Sequence, residues 1–179
     1  MAVLPARLPR QRSDFRGLAR AGLLVLVSAP LLDWASRTRC MATAKEGSEW
    51  VTFNAQGDEA FRQAETMLED SRKQFEKLES TSEDGKLTEA QGKAFAEGWA
   101  LLSKSKSHYV NAEASFKKAK TAFTKELNDV TKEARKKSID VPEDLEKPAT
   151  HLEEKILFVR ERLSAVDKTL TAMDKAFGK

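Results

Sequence analysis

Apolar positions recur along this chain with the spacing of packed helices. Phe95, Leu102, Tyr109, Phe116, Phe123 and Val130 lie seven residues apart without a polar interruption. Further on, Leu145, Ala149, Leu152, Ile156, Val159, Leu163, Val166, Leu170, Met173 and Phe177 alternate gaps of four and three. Phe61, Ala64, Leu68, Ser71, Phe75 and Leu78 repeat the same rhythm earlier. A heptad rhythm places apolar side chains on one side of a helix, where they pack against a neighbouring helix. The pattern predicts an all-α chain with helices over about 54–80, 88–137 and 143–177.

Local signals set the ends. Ser80–Gly85 reads as a turn, because Ser, Thr and Asp compete with the helix for backbone hydrogen bonds and Gly frees the backbone. Thr88 with Gln91 forms a capping box that opens the second helix. That helix carries large residues at one core position and Gly98, Ser105, Ala112 and Ala119 at the other, which brings a neighbouring axis close. Its last turns carry Lys132, Arg135, Lys136 and Lys137, a cluster suited to the partial negative charge at a helix C-terminus. Asp140 with Glu143 can cap the third helix, Pro148 should kink or restart it, and Thr150 with Glu153 offers a cap at the restart.

Short connections between long helices imply antiparallel neighbours. The expected body is an elongated antiparallel three-helix, coiled-coil-like bundle over 54–179, preceded by an irregular arm over 41–53. The first helix is expected along the N-terminal half of the second, meeting the third only near the middle.

Charge separates the body from what precedes it. Residues 1–40 hold seven Arg, no Lys and two Asp, whereas residues 41–179 hold 24 basic and 26 acidic side chains. The basic excess therefore belongs to the first segment, and it is not the footprint of a nucleic-acid-binding body. Arg12, Arg16 and Arg20 share a helix face, the pattern of an organelle-targeting leader, and Arg39 suits processing just before Met41. This reading gives a mitochondrial location. Ala21–Leu32 is an apolar run too short to span a bilayer but of signal-sequence length, and Ala42-Thr43-Ala44 supplies a cleavage pattern. That favours a secretory or plastid-lumenal destination instead. If Met41 is the true start, the protein is cytoplasmic.

Reactive motifs are missing. The single cysteine, Cys40, excludes an internal disulfide and a thiolate metal site. His108 and His151 share no local spacing with a carboxylate cluster, and no phosphate-binding loop, zinc-protease or nucleophile-elbow pattern occurs. No catalytic, cofactor-binding or metal-binding residue is therefore assigned. Leu157 and Phe158 stand out because they fall off the apolar stripe of the third helix, and Trp50 and Phe53 because they lie in a segment without helical period. An apolar side chain off the stripe is a docking point for a partner.

The expected function is a non-enzymatic structural or adaptor subunit of a larger organellar complex, acting through protein–protein contacts. A thylakoid-lumen address would make it an extrinsic bundle subunit of a photosynthetic complex, by analogy of architecture alone. A second class is a lipid-surface protein with amphipathic helices, which the mixed Lys/Glu faces do not favour.

Overall fold

A computed structural model describes residues 47–78, 88–140 and 147–177. The leader over 1–40, the turn at Ser80–Gly85, and Glu143 and Leu145 of the second connection lie outside the described residues. Among the described residues there are three helices and no strand: α1 (Glu49–Glu76), α2 (Glu89–Lys136) and α3 (Lys147–Phe177). The three helices pack together, and each contributes one stretch to each of two compact units. Within the described residues, one unit gathers 65–78, 88–106 and 164–177, and the other 47–64, 107–140 and 147–163.

The ends of α2 follow from its sequence. At its start the Thr88 amide donates to Gln91 Oε1 at 2.9 Å and the Gln91 amide donates to Thr88 Oγ1 at 3.3 Å. At its end Ser138 adopts a left-handed φ of 51°, which turns the chain out of the helix. The Ile139 amide then donates to the Ala134 carbonyl at 3.0 Å and the Ser138 amide to that of Arg135 at 3.3 Å. This pair is a Schellman closure, which satisfies carbonyls that the helix end would leave open.

Four expectations need correction. First, α1 begins at Glu49, so Glu49–Phe53 are its opening turn and not an irregular arm. Trp50, Asn54, Gly57, Phe61, Ala64, Leu68, Ser71, Phe75 and Leu78 carry one 4-3 stripe, and burying Trp50 against Phe123 draws the helix back to Glu49. Second, the first turn of α1 lies at the C-terminal half of α2, because Trp50 meets Phe123 at 5.2 Å. It also lies beside the start of α3, where Lys155 reaches Asn54 and Asp58. The two helices therefore meet within about their first three turns. Third, Thr150 does not cap a restart of α3, because the helix already runs from Lys147 and Thr150 lies inside it. Fourth, Val130 is 44% exposed, since it lies a full two turns past Phe123, the α2 residue that receives Trp50.

In the unit that holds 65–78, Phe75 packs on Phe95 at 6.0 Å, and Phe95 on Trp99 at 6.1 Å. Ser71 donates to the Gly98 carbonyl at 2.7 Å. A Cβ built on Gly98 would come within 2.8 Å of the Phe75 ring, so the glycine is what admits that ring. Lys106 with Asp167, at 2.6 Å, links α2 to α3 in the same unit.

In the other unit the roles are exchanged, and here α2 supplies the ring and α1 the glycine. A Cβ on Gly57 would lie 2.5 Å from the Phe116 ring, which is fully buried. Ala112 and Ala119, also fully buried, provide the small side chains of this close approach. Phe61 packs on Tyr109 at 5.8 Å and on Phe158 at 5.7 Å, joining all three helices.

The glycines give a paired test. Gly57→Ala should lower the melting temperature even though alanine is the better helix former by about 1 kcal/mol, because overpacking a filled core costs about 1–3 kcal/mol. Gly92 has nothing within 4 Å of its would-be Cβ. Gly92→Ala should therefore raise stability, by up to about 1 kcal/mol. Thermal denaturation of the two variants side by side checks both signs.

Candidate functional site

No group of three or more His, Cys, Asp or Glu among the described residues is placed to hold a metal ion. None of the described helices is long and apolar enough to cross a membrane. Two features of the described residues bear on function: a buried polar cluster and an open groove between α2 and α3.

The cluster is built on residues that the apolar stripe does not mark. On α3, Lys155, Arg162 and Thr169 follow one another at seven-residue spacing, and all three are buried. They form a second seam beside Leu152, Ile156, Val159 and Val166, because α3 faces two helices and needs a wider inner surface. Lys155 is 1% exposed and donates to Asn54 Oδ1 at 3.0 Å and to Asp58 Oδ1 at 2.7 Å. Asn54 Nδ2 donates to the other Asp58 oxygen at 3.2 Å, which holds the acceptors in place. The Lys155 ammonium also sits 5.0 Å from the centroid of Phe116, on the ring face where a cation is attracted. Burial pushes the Lys155 ammonium below its ordinary 10.5, and the Asp58 hydrogen bond and charge oppose that shift.

With Lys155 and Asn54 buried, this cluster is fitted to fix helix pairing. An amide at a core position specifies register in packed helices at some cost in stability. Asn54 occupies the stripe position that Phe61, Leu68 and Phe75 take in later turns, and Lys155 is the group that satisfies it.

The four residues singled out for docking are not equivalent. Trp50 is 4% exposed, edge-on to Phe123, and belongs to the core. Phe53 is half-buried, with the Lys118 ammonium 5.9 Å from its ring centroid. Phe158 is half-buried between Phe61 and the guanidinium of Arg162, 5.4 Å from its ring. It takes part in the α1–α3 packing through Phe61. Leu157, one residue earlier and rotated to the opposite flank, is 58% exposed.

Leu157 lies on an open groove of about 1090 Å³ between α2 and α3. Its lining includes Thr121, Thr124 and Asn128 from α2 and Ile156 from α3. Among the described residues, five cations, Lys117, Lys120, Lys125, Lys132 and Arg160, stand along it with two carboxylates, Asp129 and Glu153. Lys120 pairs with Glu153 across the groove. Lys117 at 2.8 Å and Arg160 at 2.6 Å share the carboxylate of Glu113, which their hydrogen bonds hold below its ordinary 4.5. Ion pairs thus join α2 and α3 beside the groove, and cations outnumber carboxylates among its described lining residues.

No family model matches the chain, and no curated protein or solved structure matches it significantly.

Proposed function

We propose that the protein is a non-enzymatic helical adaptor or structural subunit of a larger organellar assembly, working through protein contacts. The observation that carries this reading is Leu157. It is a large apolar side chain, 58% exposed, over an open groove whose walls are fixed by cross-helix ion pairs. Scattered exposed leucines are ordinary on protein surfaces. One seated in a preformed groove offers a partner a rigid apolar contact with little ordering cost.

The body itself is read as an antiparallel, coiled-coil-like bundle. Supporting this, contacts descend α2 as they ascend the other two helices. In one unit Trp50 meets Phe123, Gly57 meets Phe116 and Phe61 meets Tyr109. In the same unit Glu153 meets Lys120 and Arg160 meets Glu113. In the other, Ser71 meets Gly98 and Phe75 meets Phe95. The Arg-rich, acid-poor residues 1–40 point to mitochondria as the compartment.

Leu157→Ser should separate binding from folding. Stability should stay within about 0.5 kcal/mol, as for ordinary surface changes. Co-purification with the native partner should fall, because a seated apolar anchor carries about 2 kcal/mol of binding. Glu161→Ser on the outer face of α3 should change neither. Thermal denaturation and quantitative co-purification of the three chains decide the matter. Equal recovery of partner by wild type and Leu157→Ser would remove Leu157 from the account.

A further inference from the structure

We propose that the α2–α3 groove around Leu157 receives an acidic amphipathic helix of a partner protein. This rests on the protein-contact reading above and names the partner's chemistry. Two adjacent helices leave a furrow between them, and another helix packs into such a furrow by ridges and grooves. The groove's apolar lining is Leu157 and Ile156 from α3, with Thr121 and Thr124 from α2 on the same groove. A ligand helix would therefore present Leu-, Ile- or Phe-type residues at i, i+3, i+4 and i+7 spacing toward this lining.

The rims decide the charge of that helix. Among the described residues that line the groove, five are cations and two are carboxylates. Lys120 is matched by Glu153, and Lys132 is only loosely matched, at 3.9 Å, by Asp129. Lys117 and Arg160 together meet the single carboxylate of Glu113. The excess is positive, so Glu or Asp flanking the apolar face of the ligand gains and Lys or Arg is repelled. The same excess argues against a second copy of this chain seated groove to groove, which would oppose like charges. Nucleic acid is a poorer fit, because a phosphate backbone gains from cations but not from a leucine at the centre of the site.

The test replaces Leu157 in the full-length chain with a photo-crosslinking benzophenone amino acid, in the native cell, with matched replacements at Glu161 and at Thr52 on the outer side of α1. The cross-linked segment is then read by mass spectrometry. The expected result is one protein segment at position 157, net acidic and with apolar residues at helical spacing, and none at position 161. A synthetic peptide of that segment should bind the wild-type chain. It should bind Lys125→Glu/Lys132→Glu about tenfold or more weakly, with an unchanged melting curve for the variant. Cross-linking at 157 to a basic or neutral segment, a lipid, a nucleic acid or a second copy of this chain would overturn the proposal. Protein capture at 52 but not at 157 would also overturn it while leaving the adaptor reading standing. Capture of no protein at any of the three positions would remove both.

Discussion

Phe116→Ala is expected to produce the largest loss of stability of any single change in this chain, about 3–5 kcal/mol. The ring is fully buried and fills the space left by Gly57 on α1, where even one added carbon would collide. It also underlies the Lys155 ammonium, so its removal strips a cation of a favourable face as well as opening a cavity. Neither loss is recovered by relaxation, because the surrounding Ala112 and Ala119 are small and cannot fill the void. Thermal denaturation should show a drop of about 6–20 °C, using about 2–4 °C per kcal/mol for a chain of this size. A drop of only a degree or two would mean that the α1–α2 seam is not closed on this ring.

The second large effect is an asymmetry at the buried ion pair. Asp58→Ala should cost about 3 kcal/mol or more, because it leaves the Lys155 ammonium buried at 1% exposure with its principal charge partner gone. Lys155→Met should cost less, because the carboxylate it leaves, Asp58, keeps 16% exposure to water, although Asn54 Oδ1 and Asp58 Oδ1 lose the ammonium that donates to them. The pH dependence separates this from simple packing loss. Burial lowers the Lys155 pKa in the folded chain relative to 10.5. Between the folded and unfolded values the unfolded chain binds more protons, so stability rises with pH across that window. Wild type should therefore gain on Lys155→Met as the pH is raised toward 10.5, measured by denaturant unfolding at stepped pH. A flat difference would mean that the ammonium titrates alike in both states.

Much of the fold was legible in the residue pattern because its signals are local. The capping pair Thr88 and Gln91 forms as the spacing implies. The small series Gly98, Ser105, Ala112 and Ala119 is buried, as a close axis requires. What escaped depended on the third helix. Asn54 and Gly57 look like breaks in an apolar stripe, yet each is matched by a residue remote in sequence, Lys155 for the amide and Phe116 for the missing side chain. Lys155, Arg162 and Thr169 repeat every seven residues, but polar residues at that spacing ordinarily mark a solvated face. Only a helix with two neighbours turns such a face inward.

The docking surface shows the same limit. Position along the helix places both Leu157 and Phe158 off the main stripe, and it does not tell which flank meets α1. Phe61 takes up Phe158, and that contact leaves Leu157 over the groove. Trp50, without a visible period from Ser48 to Phe53, belongs to the stripe once Asn54 and Gly57 are admitted as core positions.

The most direct test of the account is hydrogen–deuterium exchange on the full-length chain, free and in its native complex. A partner helix seated between α2 and α3 should slow exchange in peptides covering 117–132 and 153–160, while the outer side of α1 keeps the rate it has in the free chain. Unchanged exchange in both peptides, or protection confined to α1, would contradict a function exercised through this groove.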